Sequence, residues 1–167
     1  MERIGGDAVM ETMNEPIYRI RFQRHSITGA AEDYYCAGKL CWEEFNRTYD
    51  SHYIFPALIN YAFSGELYLK AIYTFENNKE SKNGHSYQEL LAQLSEKAQE
   101  QIEQAYNSEN RKDCFCDAVK HYGDAFTKWR YRHEITNADS NVNDFVALID
   151  AIKTICERRE IQTDVDL

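Results

Sequence analysis

The sequence predicts an all-α protein, an up-and-down bundle of four to five helices with a short N-terminal strand or arm. Three observations carry this. Apolar residues recur every three or four positions through five segments, the spacing that gives a helix one buried face. Only two prolines and seven glycines interrupt 167 residues that are 43% hydrophobic and 13% aromatic. Polar connections of roughly 6–10 residues separate the segments, a length that joins neighbouring antiparallel helices. The expected organisation is an arm over residues 1–28, a bundle over 29–160 and a tail over 161–167.

In the arm, Ile17 to Phe22 alternates Tyr18, Ile20 and Phe22 against Arg19 and Arg21, the period of a half-buried strand. A lone strand leaves its backbone groups unpaired, so it has to meet a second copy or lie against the bundle. Ser26 or Thr28 can cap a first helix from about Ala30 to Thr48, with Tyr34, Ala37, Cys41, Phe45 and Thr48 as its core stripe. Pro56 sits where a first-turn proline is tolerated and opens a second helix that runs to about Glu76. Ser86 and Glu89 spell a capping box, and Leu90, Leu91, Leu94, Ala98 and Ile102 continue a third helix. A fourth carries Ala118, Tyr122, Phe126, Trp129 and His133 on one face. Asn143 can cap a fifth, bearing Phe145, Leu148, Ile149, Ile152, Ile155 and Cys156.

The second helix holds the most informative stretch, YAFSGELYLKAIYTF, in which Glu66 and Lys70 stand four apart within an otherwise apolar run. They stack on one face in the stabilising order, Glu first. Such a pair in a central helix serves the structure, a dimer interface or a phosphate contact. His85, between Gly84 and Ser86, is placed to fix the start of the next helix by hydrogen bonding.

Composition excludes several classes. A net charge of −9 opposes nonspecific coating of nucleic acid, which needs many Lys/Arg–phosphate contacts. Local basic clusters remain at Arg19, Arg21, Arg24 and His25, and at Lys128, Arg130, Arg132 and His133, the latter interleaved with Trp129 and Tyr131. Trp129 and Tyr131 serve as core and boundary aromatics or as a stacking platform for a base. No apolar run approaches the ~18 residues that span a bilayer, so no membrane partner is expected. Five cysteines, an odd number, and the lack of a signal-peptide pattern fit reduced thiols in the cytoplasm. Cys114, Cys116 and His121 lack the paired spacings of a structural zinc module, so no metal or other cofactor is expected. Phosphate-binding glycine loops and the common hydrolase motifs are missing.

SGELYLKAIY, a polar loop, GHSYQELLAQLSE and the later WRYRHE together resemble the HEPN domains, over roughly residues 30–135. The resemblance implies a compact four- or five-helix bundle that dimerises. It also implies a metal-independent ribonuclease of a toxin–antitoxin or phage-defence system, with RNA and a cognate antitoxin as partners. The family signature is an Arg followed four to six residues later by His. The imidazole moves a proton near neutral pH, while the guanidinium fork stabilises charge on phosphoryl oxygens. Arg130 and His133 are the first candidates, yet their spacing is shorter than the signature; with Glu134 they fall at i, i+3 and i+4, on one helical face. Arg47 with His52 is the second candidate, and Arg19 with His25 also fits the spacing. Such matches arise by chance about once in a chain of this composition. The shortened interval and the acidic charge favour the alternative, a catalytically inactive HEPN-like module for dimerisation or protein binding.

Overall fold

Ser26 starts the first helix: its hydroxyl accepts from the Gly29 N–H at 3.1 Å, filling one of the donors a helix start leaves open. The computed structural model describes residues 26–79, 81, 84–108, 114–131 and 141–165, with backbone alone from 162. Within them the chain is all-α: α1 (Ile27–Thr48), α2 (Ile54–Asn77), α3 (Tyr87–Leu91), α4 (Glu96–Asn107), α5 (Phe115–Tyr122), α6 (Ala125–Arg130) and α7 (Val142–Val165), with a 3₁₀ turn at Ser51–Tyr53. The strand expected at 17–22 lies outside the described residues.

α2 is the axis of the bundle. Its buried residues, among them Ala57, Leu58, Ser64, Glu66, Tyr68, Leu69 and Ala71, cover more than half of its circumference. The pairs Glu32–Tyr68, Tyr34–Phe63 and Gly38–Ala57 run α1 antiparallel to α2. Gly65–Ile149 and Glu76–Arg159 run α7 parallel to it. Two glycines set the closest approaches. A Cβ on Gly38 would stand 3.1 Å from the Tyr61 backbone nitrogen, where α1 crosses α2. One on Gly65 would stand 2.5 Å from the Tyr87 hydroxyl and 2.6 Å from Ile149 Cδ1, where α2, α3 and α7 meet.

Five local expectations need correction. The buried face of α1 is Thr28, Ala31 and Gly38 with Tyr35 and Trp42 packed beside it; Tyr34 is 40% exposed and Thr48 is exposed. The helix carries apolar residues on two faces, and its small ones take the crowded side against α2. The single third helix is two, α3 and α4, because Ser95 caps α4 and is itself held by Glu76 through its backbone N–H (2.9 Å) and hydroxyl (2.6 Å). The Ser86 side chain makes no capping bond, so the capping box is not formed. The fourth helix likewise splits at Gly123–Asp124, where the Gly123 carbonyl accepts from the Tyr87 N–H instead of continuing a helix. At α7, Asn141 rather than Asn143 takes the capping position: its side chain accepts from the Asn143 N–H at 3.2 Å and its carbonyl from the Phe145 N–H.

Candidate functional site

α2 positions two charged centres. Glu66, 1% exposed, follows Gly65 on the packed side of the helix. One turn later, Lys70 reaches back and its Nζ donates to Glu66 Oε1 at 2.7 Å. The segment before α3 brings His85 to the same atom, with Nδ1 at 2.9 Å from Oε1. Among the described residues Oε2 is buried and accepts no hydrogen bond. Tyr87 stands close by, its hydroxyl donating to the Ala62 carbonyl at 2.6 Å. Complete burial, then the Glu66 charge, push that phenol well above its ordinary value, so it stays a neutral donor.

Exposure divides the cluster into a buried base and a solvent-facing edge. The Lys70 side chain is 19% exposed and that of His85 62%. An ionised Glu66 accepts only, so the histidine nitrogen it faces carries the proton. In the neutral ring Nε2 is then left as an outward acceptor, and in the imidazolium it becomes a second donor.

The second centre joins α1, α2 and α7. Glu32 accepts from the Tyr68 hydroxyl at 2.5 Å and from Lys153 on Oε2, and from Cys36 on Oε1 at 3.5 Å. Burial pushes the Glu32 carboxyl up, but the bonds from Lys153 and Tyr68 outweigh it and hold the group below its ordinary value. For Lys153, burial acts downward and the carboxylates Glu157 and Glu32 raise it on balance. Lys153 also lies over the rings of Tyr35 and Tyr68, at 5.0 and 5.6 Å from their centroids. Glu32, Tyr68 and Lys153 line a pocket of about 380 Å³ together with Thr28, Glu157 and Glu160. No sequence motif announced this centre, because Glu32 and Lys153 are 121 positions apart.

The other candidates are dispersed. Arg47 is bound by Glu44 and His52 by Asp50 (2.6 Å), each within its own local turn, and both are exposed. The Asp50 carboxyl is held below its ordinary value, chiefly by the His52 backbone N–H. Arg130, at the end of α6, lies over the rings of Phe126 (5.2 Å) and Tyr131 (4.9 Å) and forms no ion pair among the described residues. Phe126 stacks on Phe63 at 4.6 Å, and Phe63 meets Tyr34 edge-on at 4.5 Å. An aromatic ridge therefore runs from α1 across α2 to Arg130. Trp129 is turned into the core and Tyr131 is 46% exposed. His133, Glu134, Arg19 and His25 lie outside the described residues.

No helix among the described residues is long and apolar enough to cross a membrane. No group of three or more metal-ligating side chains converges among them. No family model, curated protein or solved structure matches the chain.

Proposed function

We propose that this is a HEPN-like RNA-interacting protein whose contact surface is the Arg130 end of the aromatic ridge. The carrying observation is the setting of Arg130: its guanidinium rests on two rings, with no carboxylate bound to it among the described residues. A guanidinium stacked in this way keeps its N–H edge available for a phosphate, and the neighbouring rings offer faces to unpaired bases. The ribonuclease reading adds His133 as the group that moves the proton, with metal-independent cleavage as its consequence.

A second reading rests on a different observation. Arg47 and His52 are engaged separately, and the ridge from Tyr34 to Phe126 leaves aromatic surface partly open. Partly open aromatics on an acidic protein suit a silent module that binds a second copy or another protein.

One experiment decides between them. Single-stranded RNA binding is followed by fluorescence anisotropy between about 50 and 200 mM salt, and cleavage of RNA is assayed in EDTA. The RNA reading expects affinity that falls with salt and drops about tenfold in Arg130→Ala, about 1.4 kcal/mol. Cleavage lost in Arg130→Ala/His133→Ala adds the enzyme. Salt-insensitive or absent RNA binding sinks the RNA reading and leaves the silent module.

A further inference from the structure

The Glu66 cluster is built unlike a structural ion pair. A carboxylate that only holds helices together gains most when both oxygens are served; at Glu32 the strong donors share Oε2, but Oε1 meets the Cys36 thiol and solvent, the side chain being 46% exposed. At Glu66 both donors crowd onto Oε1, and Oε2 is left buried without one. Each buried group left in that state calls for a reason.

The donors of the cluster are not used up either. Lys70 has three N–H bonds and uses one on Glu66, and none of the described residues takes the others. His85 uses Nδ1, and Nε2 has no partner among the described residues on a side chain that is 62% exposed. Glu66 is covered, while His85 is 62% exposed and Lys70 19%, so the part of the cluster that solvent reaches is made by these two. An oxyanion arriving from solvent meets the two remaining ammonium donors and, with the imidazolium, a third. It never touches the carboxylate.

We propose that Lys70 and His85, held from beneath by Glu66, form an oxyanion site of the phosphate class, in which His85 exchanges a proton with the bound group. Glu66 is a positioning residue: it sets the orientation and tautomer of the His85 ring and anchors the Lys70 ammonium beside it. Charged groups near the edge bear on the site. On α3, the Glu89 carboxylate lies beside Gly84, 3.5 Å from where a Cβ would stand, and it opposes an anion. Tyr87, on the same helix, is neutral and faces inward.

The site stands on the geometry around Glu66 and not on the RNA reading. It is tested on the 167-residue protein by NMR, following the His85 imidazole resonance through a pH titration with and without inorganic phosphate. His52 and His121 serve as internal controls, since both are exposed and lie away from Glu66 in the chain. Phosphate is expected to raise the midpoint of the His85 titration saturably, because a bound anion favours the imidazolium. Lys70→Met abolishes the effect and Glu89→Gln strengthens it. Should Lys70→Met not fold, the Glu89→Gln variant and the wild-type curve still decide. A His85 midpoint that ignores phosphate, or moves no more than that of His52, overturns the proposal. Phosphate linkage in a protein that does not bind RNA supports the site and fails the RNA reading. RNA binding with an indifferent His85 does the reverse.

Discussion

Glu32 and Glu66 each hold a lysine on the helical core, and the contrast between them separates a clamp from a site. Glu32 joins three helices, α1, α2 and α7: Tyr68 and Lys153 share its Oε2, and Oε1 meets the Cys36 thiol at 3.5 Å and solvent. Lys153 is equally committed, to Glu32, to Glu157 at 2.7 Å and to two tyrosine faces. Every strong group there has its partner inside the protein. Glu66 is far more buried, its second oxygen has no donor among the described residues, and Lys70 and His85 each keep a further hydrogen-bonding group that no described residue takes. Saturation marks the centre that fastens the bundle, and unspent donors mark the one that can take a ligand.

The contrast is sharpest in truncation. Glu66→Ala strands Lys70 and His85 without their acceptor and opens a cavity beneath α3, an expected loss of about 3 kcal/mol. Lys153→Met leaves Glu32 with Tyr68 and water, a loss of about 1 kcal/mol, discounted because the Glu32 side chain is 46% exposed. Urea denaturation of both variants checks the ranking, and equal losses would remove the distinction.

Next in size is Gly65→Ala, expected to cost about 2 kcal/mol, because the new methyl overlaps the buried Tyr87 hydroxyl and Ile149. The same variant displaces α3 and with it His85, so phosphate linkage weakens while the Glu32 clamp stays intact. A stable Gly65→Ala protein with wild-type phosphate linkage contradicts that packing.

The Glu32 clamp also has a pH signature. Its carboxyl titrates lower in the folded protein than in the unfolded chain, so its stabilisation is complete above the unfolded value and disappears as pH falls through the folded one. The stability gap between wild type and Lys153→Met is therefore expected to shrink below about pH 4. A gap that persists in acid would assign the effect of Lys153 to its packing on Tyr35 and Tyr68. Smallest of all, Arg130→Ala is expected to change stability by no more than about 0.5 kcal/mol, since the side chain is exposed. Thermal melts check this, and a larger loss would recast the ridge as structural.

The all-α class was readable because periodicity and scarce breakers need no tertiary information. The helix breaks were not. Leu90, Leu91, Leu94 and Ala98 keep helical spacing straight across the interruption at Ala92–Ser95, which is set by Glu76, 19 residues earlier in the chain. On α1, Tyr34 and Phe45 outweighed Ala31 and Gly38 as core candidates, although close helix crossing favours the small residues. The Glu66–Lys70 pair could be read from its i,i+4 spacing. His85 could be singled out by its position, but its bond to Glu66 depends on the path of the loop. Glu32, Tyr68 and Lys153 carry no local pattern at all, since only the packing of three helices assembles them.

Cys156, 1% exposed on α7, gives the fold a built-in reporter. Burial, followed by the charges of Glu160 and Glu157, pushes its thiol up to about 12, whereas Cys36, Cys114 and Cys116 are exposed. A maleimide therefore modifies the outer thiols of the intact protein and reaches Cys156 only when α7 lifts away from the core. Counting adducts by mass spectrometry over time thus reads how often the central helices separate, on native protein and without a denaturant.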